Sequence, residues 1–227
     1  HTPTLSALHH SMHLLALISD LHADAQSLTQ ALARISALGC QSVLCAGDLV
    51  GYGPAPDRTI EILNSRSIPC VCGNHDRWTV SGFGSSAKIK LKPTSRTFLA
   101  SLPPECHQVV ADTRIVVTHG RPGYDMEGIF EDSPDDNLIR HWMDIIGADI
   151  LVTGHTHKPL CRPIPGGTVV VNPGSALMNP LNPKYAELAS GTFAVIELPS
   201  RIYRVFSIAS GKLLMEQNCA ASSTHEK

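Results

Sequence analysis

The sequence lacks several features that would each assign the protein to a class. No apolar run near the start is long enough to cross a bilayer: residues 14–18 make a run of five that is soon followed by Asp20, whereas a transmembrane helix needs about 20. The chain contains no internal repeat and no Cys-x-x-Cys pair. A membrane-spanning segment, a repeat architecture and a cysteine-based zinc ribbon are therefore not predicted.

An excess of charge of either sign is also missing. The chain has 18 Lys and Arg residues against 20 Asp and Glu residues, a formal net charge of -2. Proteins that bind nucleic acid without sequence preference depend on extended basic surfaces. We therefore expect no strong nucleic-acid binding, although a local basic patch remains open.

The seven cysteines are odd in number and have no paired spacing. This usage favours a reducing, cytoplasmic location and a role for the cysteines as small buried apolar residues. With 227 residues, 43% of them hydrophobic and 17% charged, the chain has the composition of a soluble globular protein. We predict one domain over residues 13–217, a tag or disordered extension at 1–12 and a disordered tail at 218–227.

Short apolar segments alternate with helical patterns in the first half of the chain. Strands are predicted at 13–19, 42–46 and 68–72, with helices at 28–38 and 57–64 between them. Strands that alternate with helices indicate a parallel sheet with crossover connections. Residues 77–92 are rich in Ser, Gly and Lys, and we predict a surface loop with a turn of helix there.

The second half of the chain contains more strands than helices. Helices are predicted at 94–102 and 137–146, and a hairpin joins strands at 108–110 and 114–118. Further strands are predicted at 150–153, 168–172, 192–198 and 202–208, and the last three of these are separated by Pro and Gly, which is typical of antiparallel pairing.

Five short polar motifs follow the ends of predicted strands, where open α/β sheets bind ligands. Each motif alone has an ordinary structural interpretation, such as a helix N-cap, a turn or a structural histidine. If Thr156 continues an extended conformation, the imidazoles on either side of it point the same way. The motifs are Asp20-Leu21-His22, Gly47-Asp48, Gly73-Asn74-His75-Asp76, His119-Gly120 and Gly154-His155-Thr156-His157.

Together the motifs supply carboxylate, amide and imidazole ligands, a mixture that suits Mn, Fe or Zn. Two such ions about 3.5–4 Å apart can hold a phosphoryl group and lower the pKa of a bridging water. Within the third motif, His75 is suited to donate a proton and Asp76 to orient it.

The order of the motifs resembles the D-x-H, G-D, G-N-H-[DE], H-G and G-H-x-H series of the calcineurin-like metallophosphoesterases. The resemblance covers about residues 14–175. Within the family, the sequence is similar to the small bacterial and archaeal phosphodiesterase-like branch, whose members also carry a segment like Asn172-Pro173-Gly174-Ser175. One departure is Ala23-Asp24, where many relatives have Gly-Asn. The resemblance implies a four-layer αββα sandwich of two mixed β-sheets flanked by helices.

The resemblance also implies a role for each motif residue. Asp48 would bridge two divalent ions, most simply Mn²⁺, with Fe or Zn as alternatives, and His75 and Asp76 would be the catalytic pair. Residues 172–175 would support the site, and Arg121 and Tyr52 would contact substrate. For Arg121 the alternative is an exposed arginine that binds no ligand. One ion would take Asp20, His22 and His157, and the other Asn74, His119 and His155.

Several functions remain open at this point. The resemblance implies hydrolysis of phosphoesters, with a phosphodiesterase acting on small or nucleotide-like substrates as the first hypothesis. A phosphomonoesterase for phosphoproteins and a diadenosine polyphosphate hydrolase are alternatives within the enzyme class. A non-catalytic scaffold of the same fold and a nuclease are alternatives outside it, and a complete ligand set argues against the scaffold.

Overall fold

The computed structural model describes residues 12–220, and the extremes of the predicted extension and tail, residues 1–11 and 221–227, lie outside the described residues. Two five-stranded mixed sheets face each other, as predicted. The first has the order β10-β9-β8-β1-β2 and the second the order β3-β4-β5-β7-β6. The strands are β1 His13–Ile18, β2 Ser42–Cys45, β3 Glu105–Val110, β4 Thr113–Thr118, β5 Ile150–Val152, β6 Pro159–Ile164, β7 Thr168–Pro173, β8 Thr192–Leu198, β9 Ile202–Ser207 and β10 Leu213–Asn218.

Five α-helices and two short 3₁₀ segments, Gly84–Lys88 and Pro183–Leu188, connect the described strands. None of the helices in residues 12–220 is long and apolar enough to cross a membrane. The α-helices are α1 Ala25–Ala37, α2 Pro56–Ser65, α3 Asn74–Ser81, α4 Pro93–Ala100 and α5 Asp136–Ile146.

The alternation of side chains on β1 separates two of the three apolar cores. Leu15 and Leu17 point to the core between the two sheets, while Ala16 and Ile18 pack against α1 and α2 on the other face. A third core lies between the second sheet and α5. Because β1 is buried on both faces, its run of apolar residues is continuous rather than alternating with polar ones.

The central strands of both sheets are parallel, and the outer pairs are antiparallel. β1 pairs parallel with β2 and antiparallel with β8, and β5 pairs parallel with both β4 and β7. The predicted hairpin is present as β3 and β4. The carboxyl ends of β1, β2, β4 and β5 consequently meet at one end of the sandwich, where the polar motifs begin.

Four predictions about local structure were wrong. Residues 68–72 form only an isolated bridge between Cys45 and Cys70, since Pro69 has no N–H to extend a ladder. The predicted loop at 77–92 begins as α3 and continues into the first 3₁₀ segment. The edge strands β6 and β10, whose apolar pattern is weak, were not predicted.

The fourth error concerns the end of the domain and two of its cysteines. Residue Asn218 still belongs to β10, and the side chain of Cys219 is buried. Cys219 is paired in a disulfide with Cys161 of β6, which joins the two sheets. Two of the seven cysteines are therefore cross-linking residues rather than merely apolar ones.

Candidate metal centre

The seven predicted metal ligands converge at the carboxyl end of the parallel strands. Asp20 and His22 follow β1, Asp48 follows β2, and Asn74 is the first residue of α3. From the second sheet, one histidine follows β4 and two follow β5. Both sheets thus contribute to one cluster, whose members are buried or half-buried: Asp20, His22, Asp48, Asn74, His119, His155 and His157.

Three of these side chains form a first group of ligand atoms. Asp20 Oδ1 lies 3.2 Å from His157 Nε2 and 3.8 Å from His22 Nε2. The two Nε2 atoms of His22 and His157 are 3.0 Å apart. One ion with bonds of about 2.1 Å holds its ligand atoms about 3.0–3.4 Å from one another. The two separations that involve His157 fall in this range, and the one between Asp20 and His22 is slightly wider.

The backbone determines which nitrogen of each imidazole faces this group. His157 Nδ1 lies 2.9 Å from the carbonyl oxygen of Leu188, and His22 Nδ1 lies 3.3 Å from that of Val50. A carbonyl can only accept, so each Nδ1 carries a proton. Neutral His22 therefore presents a lone pair at Nε2. Burial acts against protonation of His157, but the carboxylate of Asp20 outweighs it and raises the pKa of that imidazole. Two Nε2 atoms 3.0 Å apart need a proton or a metal cation between them.

A second group surrounds the amide oxygen of Asn74. His119 Nε2 and His155 Nδ1 each lie 3.0 Å from Asn74 Oδ1. His119 Nδ1 is 2.8 Å from the carbonyl oxygen of Ala46, which leaves Nε2 as its ligand atom. The arrangement of a backbone carbonyl behind the imidazole is common in metal sites, where it orients the ring.

Asp48 lies between the two groups. Its Oδ2 is 3.3 Å from His119 Nε2 and 3.8 Å from His22 Nε2, while its Oδ1 accepts a hydrogen bond of 2.8 Å from the backbone N–H of His75. Gly73 permits this position, because a Cβ there would stand 2.1 Å from Asp48 Oδ1. The carboxylate therefore offers one oxygen to both groups.

The donor set fits a divalent cation by an independent criterion. Oδ1 of Asp20 is buried and is one of three buried side-chain oxygens in residues 12–220 without a hydrogen-bond partner. A buried carboxylate oxygen is costly to leave without a partner. The same atom faces His22 and His157, so a cation there would satisfy it.

The backbone is strained at the same positions. Five of the seven ligand residues have positive φ, between 46° and 66°: Asp20, His22, Asp48, His155 and His157. Non-glycine residues rarely adopt this conformation, and each costs of the order of 1–3 kcal/mol. His155 and His157 are therefore not in an extended chain, so the condition under which alternation along a strand would align their imidazoles is not met. Strain concentrated on ligands is typical of functional sites.

The buried carboxylates of the cluster demand positive charge, which a proton or a metal cation can supply. Burial lowers the pKa of His22 to about 4, so its imidazole is neutral at neutral pH. Burial acts against ionisation of Asp48, but His119 outweighs it and lowers the pKa of the carboxyl. Burial likewise lowers the pKa of His119, but the carboxylates of Asp48 and Asp20 outweigh it and raise that pKa to about 10.

Comparison with known proteins agrees with this geometry. The model of the calcineurin-like phosphoesterase superfamily domain matches residues 12–199. The chain belongs to this superfamily. A probable metallophosphoesterase of Methanothermobacter thermautotrophicus is 28% identical over 163 residues, which cover 71% of this chain and 76% of the relative.

Two further similarities support the superfamily assignment. An uncharacterised protein of Methanocaldococcus jannaschii is 28% identical over 160 residues, 64% of this chain, and the match spans 63% of the relative's length. The crystal structure of a metallophosphoesterase from Sphaerobacter thermophilus has a TM-score of 0.64 at 20% identity and covers 90% of this chain and 89% of its own. The αββα arrangement is therefore that of metallophosphoesterases.

Asp76 makes its hydrogen bonds to the backbone and not to the imidazole that the superfamily resemblance pairs it with. Its Oδ1 accepts the backbone N–H groups of Leu49 and Val50 at 2.9 and 3.1 Å, and its Oδ2 accepts that of Gly73 at 2.9 Å. Burial, with Asp48 adding to it, raises the pKa of Asp76 to about 7. Asp76 thus links the loop after β2 to the start of α3.

His75 has a different partner. Its Nε2 lies 3.1 Å from the hydroxyl oxygen of Tyr52, and its ring meets that of Trp78 at a centroid distance of 5.0 Å. His75 and Tyr52 line one cavity of about 240 Å³ with Asp48, Asn74, His155 and His157. His75 is therefore placed beside the ligand groups, as the superfamily pattern implied.

Arg121, predicted to contact substrate, is engaged elsewhere. Its Nε donates to Glu127 at 2.7 Å, and its guanidinium lies 5.3 Å from the ring centroids of both Tyr124 and Trp142. It lines a separate cavity of about 360 Å³ on the far side of His119. Arg77 borders that cavity too, in a bidentate pair with Asp125 at 2.7 and 2.8 Å.

Residues 172–175 support the ligand loops. The side-chain N–H of Asn172 donates to the carbonyl of Gly154 at 2.7 Å, which fixes the loop before His155. The hydroxyl of Ser175 donates to the carbonyl of Asp20 at 2.9 Å. The sequence did not reveal Asp24 as a further support, whose carboxylate accepts the backbone N–H groups of Met178 and Asn179 at 3.0 and 2.8 Å.

Proposed function

We propose that the protein hydrolyses phosphodiesters at a site that holds two divalent ions, with Mn²⁺ as the first candidate. The observation that carries the proposal is the pair of converging ligand groups around Asp48, one of which places two imidazole Nε2 atoms 3.0 Å apart beside a buried carboxylate oxygen without a hydrogen-bond partner. Ligation by mixed oxygen and nitrogen atoms suits Mn, Fe and Zn.

The protein side chains have separable tasks in this reaction. Asp20, His22 and His157 would hold one ion, Asn74, His119 and His155 the other, and Asp48 both. When bound, the ions supply an activated water and offset the charge on phosphate oxygens. His75 protonates the oxygen of the leaving alcohol, which matters most when that alcohol is a poor leaving group.

The distribution of positive charge favours diesters over monoesters. A phosphodiester carries one negative charge, while a monoester at neutral pH carries almost two. Arg77 and Arg121, the two arginines that line the neighbouring cavity with His119, are both bound to carboxylates. The cations available to the substrate are then mainly the metal ions themselves, and a singly charged ester needs no more.

A substrate panel with added Mn²⁺ tests this proposal. Bis-p-nitrophenyl phosphate should be hydrolysed faster than p-nitrophenyl phosphate, with cyclic nucleotides and diadenosine tetraphosphate tested beside them. The variant His75→Asn should lose about 10²- to 10⁴-fold, the usual contribution of a general acid, on esters of poor leaving groups. Faster hydrolysis of the monoester would contradict the diester assignment, and bound metal without any hydrolysis would favour a scaffold.

A further inference from the structure

We infer that Tyr52 is the positioning residue of His75. The superfamily pattern had implied this role for Asp76. The inference rests on the proposed function, since it concerns how the acid of that reaction is held. Asp76 has both of its carboxylate oxygens on backbone N–H groups. The side-chain partner of the His75 imidazole is the hydroxyl of Tyr52, 3.1 Å from Nε2.

The ring of Tyr52 is enclosed by other rings. Its centroid lies 4.6 Å from that of His22, 4.8 Å from that of His75 and 4.3 Å from that of Tyr185. The side chain is thus packed between a metal-ligand candidate and the second 3₁₀ segment. A ring packed on several sides has few rotamers available, and its hydroxyl is held where the structure shows it.

The backbone around Tyr52 fixes its position as well. A Cβ at Gly51 would lie 2.4 Å from His22 Nδ1, so the chain passes against the ligand imidazole at a distance that only glycine permits. On the far side, the carbonyl of Tyr52 accepts the backbone N–H of Leu181 at 2.8 Å. Tyr52 is therefore anchored both to the ligand loops and to the segment that covers them.

A phenol suits this position because its hydroxyl can both donate and accept a hydrogen bond. When its oxygen accepts the Nε2–H of His75 in both protonation states of the ring, the proton that comes and goes is the one on Nδ1, and the ring keeps one orientation. In the reaction, an oxygen of water bonds to phosphorus and sheds a proton to solvent. The bond to the leaving oxygen breaks, and His75 gives that oxygen a proton and regains one from solvent.

Kinetics with graded leaving groups test the inference. Methyl aryl phosphodiesters, from p-nitrophenol to unsubstituted phenol, would be assayed with the wild-type enzyme, Tyr52→Phe and the matched control Tyr185→Phe. Tyr52→Phe should lower kcat by about tenfold for phenol, which is the scale of one hydrogen bond, and by less than about twofold for p-nitrophenol. Tyr185→Phe, which keeps its ring contact with Tyr52, should follow the wild type.

Repeating the Tyr52→Phe substitution in a His75→Asn background isolates the pathway of the effect. If Tyr52 acts through His75, the second substitution adds no further loss, because coupled residues are not additive. An equal loss for every leaving group, or a full additional loss in the double variant, would overturn the inference and leave the proposed hydrolysis intact.

A readout without turnover separates the two proposals. Long-range ¹H–¹⁵N spectra of the zinc-loaded or metal-free protein report the state of each imidazole nitrogen. Tyr52→Phe should move the Nε2 resonance that His75→Asn removes, and Tyr185→Phe should not. An unmoved resonance would overturn the inference even if no ester were hydrolysed, whereas a moved resonance in an inactive protein would support the contact and contradict the proposed function.

Discussion

The floor of the cleft and its rim are built in different ways. We define the cleft floor as the seven ligand residues Asp20, His22, Asp48, Asn74, His119, His155 and His157, and the cleft rim as Arg77, Trp78, Arg121 and Met126. Floor side chains are buried or half-buried and five have positive φ. Rim side chains extend from helices and loops, and Met126 is 36% exposed.

The floor side chains are conformationally fixed, whereas the rim side chains can adapt. Each floor residue sits directly after a strand or at the start of a helix, and carbonyl oxygens orient the imidazoles of His119 and His157. The rim arginines are instead held by single carboxylates on an exposed segment. We therefore assign the proposed chemistry to the floor and expect the rim to tolerate substitution.

The largest effect should come from the centre of the floor. Asp48→Asn replaces the shared carboxylate by a neutral amide, which removes a charge that both ligand groups depend on. Hydrolysis should fall to the level of metal-free protein and the bound metal should decrease, as measured by mass spectrometry of the metal content. Asp144→Asn, an exposed acid on α5, is the control. If the Asp48→Asn protein were active and bound metal, the floor would be no more important for hydrolysis than the rim.

A smaller effect should come from just beneath the floor. Asn172→Ala removes the hydrogen bond to the carbonyl of Gly154 and frees the loop that carries His155. Loss of such an outer contact usually costs about 10- to 100-fold in metal affinity or activity, so the Mn²⁺ concentration for half-maximal hydrolysis should rise by that factor. The exposed Asn137→Ala should leave it unchanged, and an unchanged value for both would show that the floor does not need this support.

The free energy of unfolding should depend on Asp76, which links two loops beneath the floor. Asp76→Asn replaces one carboxylate oxygen by an amide nitrogen, which cannot accept a hydrogen bond. At least one of the three backbone N–H groups that Asp76 binds then loses its acceptor. An unpaired buried N–H costs about 1–3 kcal/mol, so the free energy of unfolding in urea should fall by that amount. Unaltered stability combined with a lower kcat would instead restore Asp76 as the residue that orients His75.

The smallest effect should come from the rim. Arg121→Ala removes an ion pair with the half-exposed Glu127, and such pairs contribute about 0–1 kcal/mol. We expect the KM for bis-p-nitrophenyl phosphate to stay close to that of the wild type in steady-state assays. A tenfold rise in KM would mean that Arg121 leaves Glu127 to bind the ester, and the rim would then share in the chemistry.

The same division explains how far the sequence could predict the structure. Asp20 and Asp48 follow runs of apolar residues that read as buried strands, so their meeting at one sheet end follows from the parallel pairing of β1 and β2. The positive φ of His155 has no such signal, because the ring orientation depends on contacts across the fold. The partner of His75 was likewise hidden, since Tyr52 lies 23 residues away in sequence.

The errors in the fold have similar physical reasons. The α3 helix begins where the carboxylate of Asp76 accepts the N–H of Gly73 and ends at Gly82 in the left-handed conformation. These end signals enclose a polar segment with a weak apolar stripe, which is why a loop was predicted. The edge strand β10 carries exposed leucines at 213 and 214, so it lacks the alternation that indicates a half-buried strand.

We propose that two ions on the cleft floor catalyse diester hydrolysis. The sharpest test is to titrate metal-free protein with Mn²⁺ while measuring bis-p-nitrophenyl phosphate hydrolysis and bound metal in the same samples. Hydrolysis should rise with occupancy and reach its plateau at two ions per chain. A plateau at one ion, or no hydrolysis at full occupancy, would contradict the proposal.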